Sequence, residues 1–382
     1  MVIAIVRATF LAINNFELNY AYQFCESYLR KSLEQNNVQF YWLPEDLSED
    51  NFHKIKESQY VITIKDPLLI INWQMMKRMV TLIDKGYDEC GPMFNFSDFS
   101  YQVSSPLFAP LNTTTYEELQ ELYQSQALKI QKVDKLDDRC ILYSSKSFLK
   151  RKNNHSSFYK SNAGLLLNSF VFTFKSFYNR VRTDLVQNIP NDAQNILDVG
   201  CFDGNMGKFL LSKSDNIKID GIEPCETSAK VASKYYNDVF NGYLEDFKTE
   251  KKYDAIVCGD ILEHLNDPWF QLKRISNFIR TDGCLILSIP NAGHWTLVFD
   301  QLNGKFEYLP WGLSCVTHIR WFTEKSIKEA IESAGFEIEN ISYEQIPPSP
   351  KGQQFIEKIV ELKLGNKKSL MTNEFLIKAK KR

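Results

Sequence analysis

Three side chains that could bind a metal ion or move a proton lie within five residues, in the segment GDILEHLNDP. Asp260 closes a strand-like run, and Glu263 and His264 follow three and four residues later. One helical turn would place all three on the same side of a cleft. Two carboxylates and an imidazole can bind a divalent cation, and histidine is suited to accept a proton near neutral pH. For His264, a purely structural hydrogen bond is the alternative.

A second group of candidates lies in NILDVGCFDGNMGKFL, residues 195–210, where a helix-like run follows a strand-like run. The loop glycines are Gly200, Gly204 and Gly207. A dinucleotide fingerprint, G-x-G-x-x-G, would require glycine where Phe202 and Asn205 stand, and the Gly-Lys-Ser/Thr ending of a phosphate loop is absent. The loop therefore suits a ligand without phosphates, such as an adenosine that carries an amino acid.

Two carboxylates flank this loop. Asp198 could hold the ammonium group of such a ligand directly or through water, and capping a turn is its structural alternative. Glu223 ends the next strand-like run, IDGIEP, 25 residues after Asp198. A carboxylate at that place accepts hydrogen bonds from ribose hydroxyls in Rossmann-like folds. The pair therefore predicts a cofactor that contains a nucleoside.

The elements that must position these residues alternate between strand and helix patterns. From residue 195 onward, apolar spacing predicts strands at 195–199, 218–222, 254–258, 284–289, 336–343 and 374–379, and helices at 204–213, 226–236, 266–280, 324–334 and 352–363. Residues 1–146 show the same alternation, with strands at 60–64 and 140–144. This rhythm predicts sheets with helices packed on them.

Between the two halves we predict a polar linker at 147–162 and then an amphipathic helix at 163–190. Aromatic stripes are usually core, so we expect this helix to pack against the next domain, with a membrane surface as the alternative. Its aromatic residues include Phe170, Phe172, Phe174, Phe177 and Tyr178.

Bulk properties limit the class of protein. The chain has 382 residues, 44% of them hydrophobic, and a net charge of −2. These values indicate about two or three globular domains without the basic field that attracts nucleic acid. None of the eight cysteines forms a CxxC pair, and several lie in apolar runs, which favours a reducing compartment. No run reaches the roughly 18 apolar residues of a membrane span, and we predict a cytoplasmic protein.

Five segments resemble, in order, the motifs of class I S-adenosylmethionine-dependent methyltransferases. They are ILDVGCFDG, IDGIEP, YDAIVCGDILEHLNDPW, GCLILSIPNAGHW and GKFEYLPWGLSCVTHIRWFTEKSI. The resemblance covers about residues 175–345. Within this family, the segments resemble the bacterial subgroup associated with glycosyltransferases of surface-polysaccharide pathways. The sequence is more distantly similar to ubiquinone-pathway O-methyltransferases. The resemblance implies an α/β protein with a Rossmann-like, seven-stranded methyltransferase domain at 163–382 and S-adenosyl-L-methionine as cofactor.

The resemblance also implies roles for individual residues. Glu263, His264 and His318 are the implied catalytic residues. In the ubiquinone-pathway relatives, the positions of Asp260, Glu263 and His264 are associated with a divalent cation, so a metal is a further candidate here. The implied cofactor-binding residues are Asp198, Gly200, Cys201, Gly204, Glu223, Tyr243, Leu244, Gly259 and Asp260. Cys315 stands where the family usually has an aspartate three residues before the histidine.

Further residues of these segments are candidates for lining the cleft. Asn291 follows Pro290 at a strand end, where side chains line a ligand crevice. His294 is either a binding residue or a structural one, and Trp295 either closes a core or stacks on a sugar face. Tyr243 stands where many relatives carry an acid near the adenine, so a stacking or capping contact is its predicted role.

Residues 1–146 faintly resemble the nucleotide-sugar-binding half of family 2 glycosyltransferases with the GT-A fold, in YVITIKDP and ECGPMFNFSDFS. Those enzymes hold a metal and a diphosphate with an acid pair at a strand end. Asp66 is followed by Pro67 and Leu68, so the pair is incomplete, and Asp98 is better explained as a turn former. We predict a degenerate domain that serves as a scaffold or partner surface, with an unrelated α/β domain as the alternative.

Together these features predict O-methylation of a sugar or glycan intermediate of surface-polysaccharide biosynthesis. The first alternative is methylation of a small phenolic or quinone acceptor. The second is a non-catalytic module that binds S-adenosylmethionine while residues 1–146 recruit a glycosyltransferase.

Overall fold

The computed structural model describes residues 1–8, 16–95, 99–103, 106, 109, 111–153, 161–173, 181–213 and 216–382. The chain divides into two compact units, unit 1 at Met1–Ser176 and unit 2 at Phe177–Arg382. Within the described residues, no helix has the length and apolar character needed to cross a bilayer.

Unit 1 is built on a mixed sheet. Its strands are β1 (Val2–Arg7), β2 (Gln39–Pro44), β3 (Tyr60–Ile64), β4 (Leu69–Ile70), β5 (Glu89–Phe94), β6 (Ile130–Val133), β7 (Cys140–Ser144) and β8 (Ala163–Thr173). Its helices are α1 (Phe16–Gln35), α2 (Glu49–Glu57), α3 (Trp73–Asp84), α4 (Thr113–Gln124) and α5 (Ser145–Asn153). In the described part of the chain, the strand order is β2-β1-β3-β7-β5-β8-β4, and β6 also pairs with β8. Strand β7 runs antiparallel to β3 and β5, whereas β1, β2 and β3 are parallel.

Strand β8 differs from the prediction for this part of the chain. Residues 163–173 form a strand rather than the start of a helix, and they pair with β5 and β6 in unit 1. Neighbouring side chains such as Leu165 and Leu166 are both fully buried. A strand buried on both faces gives a continuous apolar run, which periodicity cannot distinguish from a buried helix. The second unit therefore begins later than residue 163.

The predicted linker at 147–162 also differs from the structure. Its first part belongs to helix α5, whose last turn carries Lys150, Arg151 and Lys152. Basic side chains near a helix C-terminus are favourable there, so a basic run does not exclude a helix. Residues 154–160 lie outside the described residues, as do the predicted aromatic positions Phe174, Phe177 and Tyr178.

Unit 2 contains the second sheet. Its strands are β9 (Asn195–Val199), β10 (Lys218–Ile222), β11 (Asp238–Phe240), β12 (Tyr253–Gly259), β13 (Ile279–Pro290), β14 (Phe336–Gln345) and β15 (Thr372–Lys381). Its helices are α6 (Thr183–Val186), α7 (Asn205–Leu211), α8 (Glu226–Ala232), α9 (Pro268–Phe278), α10 (Trp295–Leu302), α11 (Glu324–Ser333), α12 (Pro350–Glu361) and α13 (Lys367–Met371). In the described part of unit 2, the strand order is β11-β10-β9-β12-β13-β15-β14. This confirms the predicted α/β class and seven-stranded sheet.

The strand order of this sheet reverses at β9. Strand β9 is parallel to both of its neighbours, β10 and β12, and the chain moves from β9 to β10 on one side before it returns to β12 on the other. Ligands of open α/β sheets bind at such a reversal of strand order. Successive β9 side chains enter opposite cores, Ile196 with Ala255 and Leu197 with Ile256, so the strand that carries the site is packed on both faces.

Candidate active site

Glycine shapes the loop that follows β9. Gly200 and Gly204 have φ angles of +77° and +79°, in the region that glycine adopts without steric cost. A Cβ atom at Gly200 would also collide with Cδ1 of Ile261. Phe202, which replaces the second glycine of the fingerprint, likewise has a positive φ of 45°. The backbone therefore turns tightly from β9 into α7.

Asp198 lies in β9, one residue before its end, and its side chain is buried. The hydroxyl of Tyr236 donates a 2.6 Å hydrogen bond to its Oδ2 and accepts one from the backbone N–H of Gly207. Burial raises the pKa of Asp198 to about 7. Tyr236 lies outside the sequence motifs. It is adjacent to Tyr235, and the sequence does not show which of these two tyrosines faces the site. The Asp198–Tyr236 pair was therefore not predictable.

Glu223 connects the loops that follow β9 and β10. Its Oε2 accepts a 2.9 Å hydrogen bond from the backbone N–H of Phe202, and its Oε1 accepts one of 2.8 Å from Cys225 N–H. A carboxylate oxygen has two lone pairs, so one backbone donor on an oxygen does not by itself prevent a further hydrogen bond from a ligand. The side chain is buried, and its orientation is fixed before any ligand binds.

The loop carries the charge that a cationic ligand requires. The segment DVGCFDGNM, residues 198–206, contains two aspartates and neither lysine nor arginine. Such a loop attracts an ammonium or sulfonium group and repels a phosphate. The acidic loop therefore fits an adenosine that bears a positively charged amino acid.

The remaining predicted cofactor residues differ in exposure. Tyr243 is 64% exposed, whereas Leu244 is buried. These neighbouring side chains therefore cannot contact a cofactor in the same way. The carbonyl oxygen of Leu244 accepts a hydrogen bond from Arg274. Cys201 is buried, and Gly259 ends β12 at the same edge of the sheet as Asp198 and Glu223.

Asp260 is held by groups that the sequence did not suggest. Nη1 of Arg182 lies 2.5 Å from its Oδ2, and the hydroxyl of Ser288 donates a 2.7 Å hydrogen bond to its Oδ1. The other terminal nitrogen of Arg182 pairs with Glu374 at 2.7 Å. Asp260 has a positive φ of 55°, so the single helical turn predicted from Asp260 to His264 is not formed.

Arg182 also pairs with Asp184 at 2.8 Å. Of its three acidic partners, Asp260 and Glu374 have pKa values that are shifted in opposite directions. Burial by itself would raise the pKa of Asp260, but Arg182 and hydrogen bonds from Glu374 and Ser288 hold it below its usual range. Burial and the neighbouring Asp260 raise the pKa of Glu374 well above its usual range. Asp260 is therefore the stronger acid of the two, and Glu374 takes up a proton first as the pH falls.

Glu263, His264 and His318 form a cluster, which we call the Glu–His–His cluster. Glu263 and His264 lie in the 3-10 turn Leu262–His264, and the His264 and His318 rings meet edge to face with centroids 4.8 Å apart. Nε2 of His318 lies 3.9 Å from Oε1 of Glu263. One potential ligand atom from each residue lies within 4.8 Å of the others. The structure thus groups His318 with Glu263 and His264, while Asp260 is paired with Arg182.

The electrostatics of this cluster follow from burial. Among the described residues, neither carboxylate oxygen of Glu263 has a hydrogen-bond partner. Burial, and to a smaller extent the negative charge of Asp260, raises the pKa of Glu263 well above the usual range. Burial and the adjacent His264 lower the pKa of His318 to about 4. The His318 Nδ1 lies 2.9 Å from the carbonyl oxygen of Leu313, which leaves Nε2 as the acceptor. A carboxylate and two imidazoles are suitable ligands for a divalent metal.

Three residues predicted near the cleft have structural contacts instead. Asn291 is fully buried, and its Nδ2 donates hydrogen bonds to backbone carbonyls within 369–372. His294 is also fully buried and caps α10, and burial lowers its pKa to about 3. Trp295 packs into a core cluster with Ile356. This indicates core closure rather than stacking on a sugar.

In unit 1, the predicted strand-end acid is not presented to solvent. Asp66 is 2% exposed, and its Oδ1 accepts a hydrogen bond from the backbone N–H of Leu68 at 3.1 Å. This contact is an Asx turn, a common structural use of aspartate. Asp98 lies outside the described residues.

Comparison with known proteins places a methyltransferase domain in this half of the chain. Residues 173–341 match a family model described as a methyltransferase domain. The chain is similar to (S)-tetrahydroprotoberberine N-methyltransferase of Eschscholzia californica, with 26% identity over 129 residues, 31% of this chain and 34% of that protein. It is also similar to a ubiquinone biosynthesis O-methyltransferase of Rickettsia typhi, with 28% identity over 117 residues, 29% of this chain and 47% of that protein. It thus spans about a third to a half of these relatives.

Among solved structures, the chain is similar to a SAM-dependent methyltransferase from Archaeoglobus fulgidus. The two share 19% sequence identity at a TM-score of 0.39, over 54% of this chain and 94% of that chain.

Proposed function

We propose that this chain, which carries a class I S-adenosylmethionine-dependent methyltransferase domain, O-methylates a sugar or glycan intermediate of surface-polysaccharide biosynthesis. The observation that carries the proposal is the position of the Glu–His–His cluster. Glu263 and His264 lie in the turn that follows β12, at the same sheet edge as Asp198 and Glu223, and the His318 ring packs against His264. Groups that suit a cationic nucleoside and groups that can accept a proton thus lie at the carboxyl ends of adjacent strands.

The chain's own residues account for cofactor binding. When bound, S-adenosylmethionine supplies an electrophilic methyl group. Asp198 would hold its ammonium group directly or through water, and Glu223 would accept hydrogen bonds from the ribose hydroxyls. Gly200 leaves room for the backbone to approach the ligand. Tyr243, at the rim, would contact the adenine, and Gly259 and Asp260 would border the methionine part.

A hydroxyl acceptor must lose its proton when its oxygen is methylated. His264 would accept that proton, as a positioned histidine commonly does. The adjoining His318 is neutral at pH 7 because burial lowers its pKa to about 4, so it does not repel the positive charge that His264 would gain with the proton. Holding the hydroxyl in line with the methyl group would supply much of the acceleration.

A divalent cation at the Glu–His–His cluster is a second use for the same residues. The two unpartnered oxygens of Glu263 favour it, because a buried carboxylate is costly without a positive partner. In that case the ion would be held by Glu263, His264 and His318. Their basicity would then serve ligation rather than proton transfer.

The test supplies the full chain with methyl-labelled S-adenosylmethionine and with glycan intermediates extracted from its host. Mass spectrometry then identifies the labelled product. We expect a mass increase of one methyl group on a sugar hydroxyl. Label found only on a phenol or quinone in parallel extracts would establish the alternative, which the similarity to a ubiquinone biosynthesis O-methyltransferase supports. Cofactor binding without label in any extract would favour a non-catalytic module.

We also propose that unit 1 is a degenerate GT-A-like scaffold that recruits a glycosyltransferase and transfers no sugar itself. A glycosyltransferase of that fold must neutralise a leaving diphosphate, usually through a metal held by paired acids. The single acid Asp66 is buried in an Asx turn, which supports a structural role. Metal-dependent release of nucleoside diphosphate from nucleotide sugars, lost in Asp66→Ala, would overturn this part of the proposal. A cytoplasmic location remains a prediction from composition.

A further inference from the structure

The segment between α10 and α11 exposes three aromatic side chains. Phe306, Tyr308 and Trp321 are 45%, 51% and 37% exposed, although large aromatic side chains are mostly buried. The ring centroid of Phe306 lies 5.3 Å from that of Tyr308 and 5.7 Å from that of Trp321, in edge-to-face contacts. Contiguous exposed apolar surface commonly marks a binding site. We call these three residues the aromatic platform.

The aromatic platform is continuous with the Glu–His–His cluster. The Trp321 ring lies 6.2 Å from the His318 ring, which in turn contacts the His264 ring. The backbone N–H groups of residues 319 and 320, directly before Trp321, donate hydrogen bonds of 2.9 and 3.0 Å to the carbonyl oxygen of Glu263. The platform is therefore fixed to the turn that carries Glu263 and His264. A molecule on these rings lies next to the proton-accepting groups.

The charges around the platform distinguish between acceptor classes. Lys305 and Glu307 alternate with the aromatic residues in the sequence, and their charged groups lie 3.4 Å apart. Charged groups disfavour the burial of a long apolar tail beside them, whereas an ammonium group and a carboxylate can bond to hydroxyl groups as donor and acceptor. A sugar ring combines an apolar C–H face with a rim of hydroxyls, so it matches both the rings and the charges.

We propose that the aromatic platform binds a sugar ring of the acceptor through its C–H face and presents a hydroxyl to the Glu–His–His cluster. This inference rests on the proposed function and names the surface that would select a saccharide. Trp321 would border the reacting sugar, since it contacts His318. Phe306 and Tyr308 would extend the contact away from the cluster.

Saturation-transfer NMR on the full chain, with S-adenosylhomocysteine present, tests this inference. The probes are methyl glycosides of glucose, galactose, mannose, rhamnose and N-acetylglucosamine, with catechol as the phenolic probe. We expect saturation of the C–H protons of at least one glycoside. The double variant Phe306→Ala/Tyr308→Ala should bind it about ten- to a hundredfold more weakly, since two aromatic contacts are lost. Phe270→Ala removes a 56% exposed aromatic side chain on α9 and should change nothing.

Calorimetric titration of the same samples with S-adenosylhomocysteine separates the two levels of the proposal. Unchanged affinity for it in the double variant shows that the protein remains folded. Absence of glycoside binding to the wild type, equal binding to the double variant, or binding of catechol alone would overturn the platform proposal while leaving cofactor binding intact. Failure of the wild-type chain to bind S-adenosylhomocysteine would instead contradict the proposed function itself.

Discussion

Two buried carboxylates at the same sheet edge are held in different ways. Asp198 has a single hydroxyl donor from Tyr236, whereas Glu223 accepts two backbone N–H groups. Backbone donors at a carboxylate stabilise its charged form, and burial without enough donors stabilises the neutral form. Glu223 is therefore suited to act as a fixed acceptor. The charged form of Asp198 is stabilised most by a ligand that brings a positive charge.

Removing the Glu223 carboxylate should weaken cofactor binding. Glu223→Ala removes a charged acceptor, and hydrogen bonds to a charged group are worth roughly 1.5–3 kcal/mol. We therefore expect about ten- to a hundredfold lower affinity for S-adenosylhomocysteine by calorimetry. The matched control is Glu226→Ala, because Glu226 is an exposed glutamate three residues later that pairs with Lys230 on the surface. Unchanged affinity in Glu223→Ala would exclude Glu223 from the site.

The raised pKa of Asp198 predicts a pH dependence of stability. Its pKa is about 7 in the folded chain and about 3.9 in an unfolded one, so the folded state binds the proton more tightly. Stability from this group is fully present below about pH 4 and is lost as the pH rises through about 7. Asp198→Asn keeps an acceptor for Tyr236 without the charge, and should gain up to about 4 kcal/mol over the wild type near pH 8.

Thermal denaturation of both proteins at a series of pH values measures this difference. The stability of the wild type should fall relative to that of Asp198→Asn between about pH 4 and pH 8. Parallel profiles for the two proteins would show that Asp198 is ionised at an ordinary pKa in the folded chain.

His264→Ala should lower turnover far more than cofactor affinity. Loss of a general base typically costs about 10²- to 10⁴-fold in rate, whereas the cofactor contacts assigned to Asp198 and Glu223 remain. His53→Ala, an exposed histidine on α2, is the control. Wild-type activity that survives a chelator indicates that His264 acts as a base, and activity lost to the chelator indicates a metal ligand. Normal turnover in His264→Ala would contradict both roles.

At the scale of elements, three distant segments meet around Arg182. This residue lies 16 positions before Asp198, Asp260 directly follows β12, and Glu374 lies in β15. The guanidinium group thus links the start of unit 2 to its central and antiparallel strands. Its fork of donors allows it to pair with both acids together.

Arg182→Met should destabilise unit 2, because it leaves Asp184, Asp260 and Glu374 without their shared cation. Removing one partner of a fully buried ion pair costs about 3–5 kcal/mol. The Arg182 and Asp260 side chains are 22% and 39% exposed, so we expect a smaller loss because solvent screens the pair. Arg182→Lys keeps the charge without the fork and should be intermediate. In the double variant Arg182→Met/Glu374→Gln, one of the three carboxyl groups that pair with Arg182 is also removed, so part of the loss should be recovered. Thermal denaturation measures all three, and a wild-type midpoint in Arg182→Met would contradict the role assigned to Arg182.

The elements of unit 2 were predictable where local pattern and tertiary context agree. Strands at 195–199 and 218–222 match β9 and β10 residue for residue, because short apolar runs bounded by loop residues fit buried parallel strands. Helix α10 was missed, since its N-terminal cap is His294, an uncommon capping residue. The Arg182–Asp260–Glu374 contacts were not predictable, because they join residues up to 192 positions apart and no local motif marks them.

At the scale of the whole molecule, strand β8 decides where unit 1 ends. It pairs with β5, β6 and β4 and is therefore an integral part of the first sheet, although it immediately precedes the second unit. A division placed before β8 would leave the sheet of unit 1 without an interior strand, the one that pairs with β4, β5 and β6. It would also attach an apolar strand without partners to unit 2.

Two fragments test this division. Phe177–Arg382 corresponds to unit 2 and should remain monomeric and bind S-adenosylhomocysteine, since Asp198, Glu223 and Arg182 are all retained. A fragment starting at Ser161 adds β8, whose unpaired backbone and apolar side chains should drive association. Light scattering during size-exclusion chromatography and calorimetry measure the two properties. If the longer fragment alone were monomeric and bound the ligand, β8 would have to stabilise unit 2, and the division at Ser176 would not be a folding boundary.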